Sequence, residues 1–262
     1  MDKKGGDKKM NEKGQIAIFV IVALAIVGVI LVVFAYPQIR NIVAPQEISP
    51  ERYLGDCLEP EVRGAVDLLA KQGGDEIPIG AAEYLDTQIK YLCYVSGYYQ
   101  TCVIQQPLLI THFAEELSRM TTSKAEQCAR NLITEYERRG FSVSSSEITS
   151  DVSVVSGNIQ IMFSMPMTIT KEDTSRTFDK FDVLIKSEIY NLLSIATSIV
   201  DYETTYGDSE TTNYLSYYPN LKIEKIKLED GVKIYKLTNV VTEDMFQFAT
   251  RSLVWPPGYG LQ

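Results

Sequence analysis

The feature that most constrains this chain is an uncharged and almost wholly apolar run near its N-terminus. Its 22 residues, Gln15 to Tyr36, read QIAIFVIVALAIVGVILVVFAY. As a helix with a rise of about 1.5 Å per residue the run would be about 33 Å long, close to the roughly 30 Å of a bilayer's hydrocarbon core. A buried helix of a soluble protein seldom stays apolar on every face over such a length. The run therefore predicts a transmembrane helix over residues 15–36 that binds the lipid bilayer.

The residues flanking this run predict its orientation. A cleaved secretory signal would have a shorter apolar core that ends at a small-residue cleavage site, whereas this run ends in Tyr36-Pro37, typical of an interface and a helix exit. Residues 1–14 hold five lysines against three acids, and only Arg40 follows the run closely. By the positive-inside rule, 1–14 is a basic cytoplasmic leader. A stalk over 37–48 and a domain over 49–262 are then expected outside the cell membrane.

The external part is strongly acidic. The whole chain has a net charge of −9, and because the leader carries +2, the remainder carries −11. An acidic domain repels phosphate backbones, so no nucleic-acid partner is expected.

The domain predicts an α+β fold, because runs of helices and runs of strands follow one another without strict alternation. The first expected helix starts at Ser49 and Pro50, is kinked or split at Pro60 and stops at Gly73-Gly74. Two more helices are expected over 107–120 and 123–139, and a long one carries Ile189 to Val200. The expected strands are 77–79, 88–95, 100–104, 141–148, 151–155, the alternating run from 159, 178–185, the hairpin 221–228 with 232–237, and an edge strand over 246–253. Helices packed on a mainly antiparallel sheet are the result.

Four cysteines, Cys57, Cys93, Cys102 and Cys128, all lie in the external domain. Disulfides persist on that side of a membrane, and an even count fits pairing. Free buried thiols and a zinc site are the alternatives, but there is no C-x-x-C pair and one histidine cannot complete the usual zinc sets. Cys93 and Cys102 fall in two β-prone runs around a turn, while Cys57 and Cys128 each lie on the apolar stripe of a helix. This placement predicts the disulfides Cys57–Cys128 and Cys93–Cys102.

The sequence offers no recognisable catalytic, cofactor or metal motif. His112 is the only histidine, and because neither an H-E-x-x-H nor a G-x-S-x-G pattern accompanies it, it is interpreted as a structural residue of an amphipathic helix. The acid-rich stretches 172–182 and 201–210 lack the EF-hand pattern, which favours solvated loops over calcium sites. The expectation is a chain without catalytic residues, cofactor or metal.

The junction Lys13-Gly14-Gln15, followed at once by an apolar helix, resembles the class III signal peptide of archaeal pilin-like proteins. That resemblance implies cleavage between Gly14 and Gln15 by a prepilin peptidase. Pilin-type helices usually carry a glutamate at the fifth mature position, which here is Phe19. Without that carboxylate a terminal ammonium in a filament core would lose its partner, at a cost of several kcal/mol.

The order of parts also resembles an archaeal family of membrane-anchored ectodomain proteins to which no activity is attached. The matching pieces are Cys57-Leu58, the helix stop Lys71 to Gly74, Gln127 to Ala129, and Met165 to Ile169. The expected function is a non-catalytic structural or interaction protein of an archaeal cell surface that binds a protein partner. A pilin-like filament subunit processed after Gly14 and an envelope enzyme or redox factor are the alternatives.

Overall fold

The computed structural model describes residues 12–35 and 48–256, and the chain divides into two compact units at Ile48 and Ser49. In the first unit, helix α1 (Glu12–Ala35) exposes every side chain described, those of 19–31. Within the described part of the chain, no helix was found that is long and apolar enough to cross a membrane. The predicted span over 15–36 therefore stays a prediction, and the predicted stalk lies almost wholly outside the described residues.

The second unit begins with helix α2 (Pro50–Lys71), whose start follows from its first residues. Ser49 is the N-cap and accepts a hydrogen bond from the Arg52 amide at 3.4 Å, and Pro50 stands where no amide donor is required. Of the kink or split expected at Pro60, the split is wrong, since the helix is continuous. Pro60 and Asp56, whose carbonyl loses its partner, are both exposed, so water can solvate that carbonyl.

Helix α3 (Leu109–Arg138) corrects the prediction of two helices over 107–120 and 123–139. Thr121 and Thr122 suggest a break because β-branched residues lower helix propensity. Here the Thr121 hydroxyl donates to the Leu117 carbonyl at 2.8 Å and the Thr122 hydroxyl to the Ser118 carbonyl at 2.6 Å. Both residues therefore satisfy their side chains inside the helix, and Ser123 lies in the helix interior instead of capping a second one.

The first sheet has six strands in the described residues: β1 (Ala81–Tyr84), β2 (Thr87–Tyr94), β3 (Val103–Ile104), β8 (Leu221–Lys227), β9 (Val232–Asn239) and β10 (Met245–Arg251). They are ordered β1-β2-β10-β9-β8, and β3 also pairs with β2. The expected hairpin of β8 and β9 is present. Two expectations are wrong: residues 77–79 form a loop before β1, and β10 is a central strand, parallel to β2 and antiparallel to β9.

The second sheet is antiparallel, with β6 at its centre. Its strands are β4 (Ser142–Ser145), β5 (Thr149–Val155), β6 (Asn158–Lys171) and β7 (Thr174–Lys186), of which β4 and β5 pair with one edge of β6 and β7 with the other. The register of β6 on β7 shifts between Ser164 and Met167, a bulge that contains Pro166. A proline is tolerated there because the bulge needs no ladder donor.

Helices connect the two sheets. Helix α2 contacts α3, β7 of the second sheet and β10 of the first, while α4 (Ile189–Tyr206) packs on β10. A short helix, α5 (Thr212–Tyr217), precedes β8. Phe113 of α3 meets Phe246 of β10 edge to face, with ring centroids 6.3 Å apart. The architecture is α+β with mainly antiparallel pairing, as the sequence predicts.

Candidate functional site

All four cysteines are oxidised, in the pairs expected from the sequence. Cys57 of α2 is bonded to Cys128 of α3, with Cα atoms 6.0 Å apart. Cys93 of β2 is bonded to Cys102, next to β3, with Cα atoms 5.4 Å apart. These thiols are therefore structural crosslinks and not metal ligands.

The sole histidine belongs to a polar cluster that sequence reasoning missed. Asp75 follows the end of α2, Lys90 lies on β2, and His112 and Glu116 lie one turn apart on α3. One Asp75 oxygen contacts His112 Nε2, and the other lies 2.6 Å from Lys90 Nζ. Glu116 accepts from the Glu76 amide at 3.2 Å and also pairs with Arg119. We call Asp75, Lys90, His112, Glu116 and Arg119 the Asp75 cluster.

Three residues of this cluster lie close enough together to resemble a metal site. Potential ligand atoms of Asp75, His112 and Glu116 lie within 4.8 Å of one another, which is the one such group in the described part of the chain. All four carboxylate oxygens already meet protein donors, and two acids are balanced by Lys90 and Arg119. A cation would have to displace one of these two basic side chains. The geometry therefore fits an ion-pair clamp better than a metal centre.

The clamp fixes the loop between α2 and β1. Gly73 adopts φ +80°, and a Cβ there would lie 2.9 Å from the Lys90 Cβ, so only glycine allows the loop to approach β2 this closely. The Lys90 amide donates to the Gln72 carbonyl at 3.1 Å. Because the Asp75 side chain and the Glu76 amide are also held, residues 77–80 follow a part of the loop that is fixed in place.

Those residues include exposed apolar side chains near the edge of the first sheet. The Gly80 carbonyl accepts from Tyr91, and the Leu92 carbonyl accepts from Gln105, so the loops 77–80 and 105–108 reach adjacent positions along β2. Four large side chains from these loops and β3 are exposed: Ile77 by 79%, Ile79 by 86%, Val103 by 66% and Leu108 by 67%. We call these four residues the edge surface.

A second polar cluster lies in the core, where α4 ends against β9. Glu203 is completely buried. It pairs with Lys233 Nζ at 2.5 Å, and the Tyr235 hydroxyl donates to its other oxygen. The Ser209 amide also donates to Glu203, and Lys233 donates to the Gly207 carbonyl at 2.6 Å. We call Glu203, Lys233 and Tyr235 the Glu203 cluster.

Charges around this second cluster shift two ionisation equilibria. Burial, then the negative charge and hydrogen bond of Glu203, raise the pKa of Tyr235 far above its usual value, so the phenol stays protonated. For neighbouring Asp208, burial alone would raise the pKa. The hydrogen bond from Lys225 and the charges of Lys233 and Lys227 outweigh it and lower the Asp208 pKa. Asp208 is therefore a carboxylate at neutral pH.

Other residues singled out by the sequence are not members of these clusters. Gly14 and Gln15, the expected processing site, lie within the backbone of α1. The acid-rich stretches expected as loops contain regular structure, since β7 covers 174–186 and α4 continues to Tyr206. Comparison of the chain with protein-family profiles, curated proteins and solved structures found no match. Function must therefore be inferred from the geometry.

Proposed function

We propose that this chain is a membrane-anchored cell-surface protein of an archaeal envelope that binds a protein partner and does not catalyse a reaction. Residues 15–36 form its anchor, and the domain over 49–262 is presented outside. The observation that carries the binding role is the edge surface, whose four large aliphatic side chains are all exposed on segments that border β2. Clustered exposure of this kind is typical of sites that another protein covers.

The sheet edge beneath those side chains supports the same role. Strands β1 and β3 both pair with β2, and within the described residues neither has a partner on its other side. Such an edge presents unpaired backbone donors and acceptors to an incoming chain. Apolar side chains beside an open edge fit a partner that adds an extended segment to the sheet. The Asp75 cluster holds the 73–79 loop in place before binding, which lowers the entropy lost on association.

The proposed localisation and topology rest on the sequence and on the paired cysteines. The uncharged length of 15–36, the lysines before it and the acidic domain after it support an N-terminus in the cytoplasm. Two disulfides fit an oxidising compartment. An amine reagent that cannot cross membranes, applied to intact cells, should label Lys222 and Lys227, both more than half exposed. Labelling of these lysines only after lysis would reverse the proposed topology.

The binding role is tested by site-specific crosslinking in intact membranes. A photoreactive residue replacing Ile79 should capture a distinct protein, whereas the same residue replacing Val241, also exposed but in the β9–β10 turn, should not. The captured protein, once purified, should bind the full-length chain directly. Ile77→Ser with Ile79→Ser should abolish that binding, and Val241→Ser should preserve it. Identical crosslinks from positions 79 and 241 would contradict a dedicated edge surface.

A pilin-like filament subunit is the second candidate, favoured by Lys13-Gly14-Gln15 before the apolar run. N-terminal sequencing of the mature protein, with electron microscopy of sheared surface material, separates the two. A mature terminus at Gln15 together with filaments containing this chain would favour the subunit. A mature terminus at Gln15 without filaments would leave the anchored binding protein as the better account.

A further inference from the structure

A cleft that none of the four edge-surface residues lines has a different composition. It has a volume of about 590 Å³ and lies where α4 ends, beside the β8–β9 turn and the chain that follows β10. Its wall combines Trp255 and Leu253 with the polar residues Asp208, Lys227 and Ser252. Pockets for small molecules have this combination of an apolar wall and a few placed polar groups.

The apolar wall, Trp255 and Leu253, is held by contacts with Tyr99 and Gln100. Trp255 is 53% exposed, and its ring meets that of Tyr99 edge to face at 5.1 Å between centroids. The Tyr99 amide donates to the Val254 carbonyl at 2.9 Å, and the Leu253 amide donates to the Gln100 carbonyl at 2.8 Å. The segment that carries Tyr99 is closed by the disulfide Cys93–Cys102. The indole is therefore supported by Tyr99 and by a hydrogen-bonded backbone, with part of its surface left exposed.

The polar wall offers both an acceptor and a donor. One Asp208 oxygen is engaged by Lys225 and lies 3.3 Å from Lys233 Nζ. Its other oxygen lies 3.8 Å from Lys227, too far for a strong hydrogen bond. Lys227 is largely exposed. Because the Asp208 pKa is lowered, this oxygen is an ionised acceptor at neutral pH, with an ammonium donor close by.

We propose that this cleft binds one ring of a saccharide, stacked on Trp255 with its ring substituents hydrogen-bonded by Asp208 and Lys227. A sugar ring has an apolar C–H face and a rim of polar groups, the two chemistries that the cleft places opposite each other. A lipid chain would offer no hydrogen-bonding group to the outer Asp208 oxygen or to Lys227, and a nucleic-acid strand would be repelled by the acidic domain. This site is independent of the edge surface and adds a glycan to the ligands of the domain.

The proposal can be tested directly because Trp255 is the only tryptophan of the chain, so emission excited beyond the absorption band of the sixteen tyrosines reports on this site alone. The full-length protein, in a detergent without a sugar head group, is titrated with neutral trisaccharides (maltotriose, mannotriose, chitotriose) and with the acidic trigalacturonate. A saturable shift or quench of emission is expected with at least one of them. Binding of trigalacturonate alone would identify Lys227 as the partner of a sugar carboxylate, and binding of a neutral sugar would identify hydroxyl recognition. No saturable change with any of the four would overturn the proposal.

Variants then separate the cleft from the rest of the surface, with binding measured by calorimetry because Trp255 itself is replaced. Trp255→Ala should abolish binding, and Asp208→Asn should weaken it about tenfold or more. The matched control is Tyr217→Ala, which removes an aromatic side chain that is 82% exposed and lies outside the cleft, and it should bind as the parent does. Unchanged far-ultraviolet circular dichroism shows that each variant is folded. Binding by folded Trp255→Ala at parental strength would contradict the proposal.

Discussion

The Asp75 and Glu203 clusters use the same chemistry in two different settings. Each joins a carboxylate to a lysine and to a polar ring, His112 in one and Tyr235 in the other. Glu203 is fully buried where α4 meets β9, and the partners of its side chain belong to the segment after that helix and to the neighbouring strand. Asp75 lies in a loop at the sheet edge, where His112 remains partly exposed.

This difference in setting assigns different tasks to the two clusters. Removing one member of a buried ion pair leaves the other charge unpaired in a low-dielectric interior, which costs about 3–5 kcal/mol. Asp75 is also buried, but the side chains of Lys90 and His112 keep 12% and 21% of their surface exposed, so water and salt moderate that cost in the Asp75 cluster. The Glu203 cluster is therefore expected to contribute mainly to the global stability of the domain, whereas the Asp75 cluster mainly holds one loop in place.

The largest effect is expected for Glu203→Ala. It leaves the Lys233 ammonium and the Tyr235 hydroxyl buried with one partner fewer, so the free energy of unfolding should fall by about 3–5 kcal/mol. In a domain of this size, that loss corresponds to a melting temperature lower by about 10 °C. Calorimetry of the full-length protein measures it.

Two further variants show whether the burial of charge causes this loss. Asp67→Ala breaks an exposed pair with Lys71, 2.6 Å apart, and should cost at most about 1 kcal/mol. The double variant Glu203→Leu with Lys233→Met removes both charges and should recover much of the stability lost in Glu203→Ala. If Glu203→Ala and Asp67→Ala melt at the same temperature, the Glu203 cluster does not have the role assigned to it.

The sequence predicts those parts of the fold that are determined locally. The start of α2 follows from Ser49 and Pro50, and the β8–β9 hairpin from the turn at Glu229 to Gly231. The cysteine pairs follow from two apolar stripes and one short turn. By contrast, β10 pairs in parallel with β2, whose paired residues lie 157 or 158 positions earlier in the chain, and no local pattern indicates that partner. Its apolar composition suits an edge strand and a central strand equally well.

Neither polar cluster was found from the sequence, although one of them leaves a trace there. Glu203 continues the apolar stripe of α4 formed by Leu192, Ala196 and Ile199, and Lys233 stands at an inward position of β9. A charged residue on an apolar stripe implies a buried partner of opposite charge. Asp75 lies in a loop without periodicity, so its meeting with His112 depends on how α2 and α3 pack and could not be predicted.

An intermediate effect is expected from the two disulfides, which end near different clusters. Cys57–Cys128 spans 71 positions and joins α2 to α3. The Asp75 cluster joins the loop after the C-terminal end of α2 to the first turns of α3. Cys93–Cys102 spans 9 positions, and the Cys102 amide donates to Ser252, which in turn donates to the Glu203 carbonyl. In the chain-entropy model, the longer loop stabilises by about 4 kcal/mol and the shorter by about 2.5 kcal/mol. Cys57→Ser should therefore lower the melting temperature more than Cys102→Ser does. The opposite order would show that the contacts of Cys102 with the Glu203 cluster outweigh loop entropy.

The smallest effect on stability, and the most local one, is expected for Asp75→Asn. The amide keeps the shape of the side chain but withdraws the charge that faces Lys90 and His112, so the free energy of unfolding should fall by about 1–3 kcal/mol. Hydrogen exchange should accelerate mainly over residues 76–80, where the Glu76 amide is held by Glu116, while β9 and β10 stay protected.

Asp86→Asn, in the exposed turn between β1 and β2, is the matched control and should change neither stability nor exchange. Crosslinking through position 79 should weaken in Asp75→Asn, because a loosened loop presents Ile77 and Ile79 less often in the binding geometry. Loss of protection throughout β9 and β10 in this variant would instead place the Asp75 cluster in the same cooperative unit as the Glu203 cluster, and the division of tasks between them would be wrong.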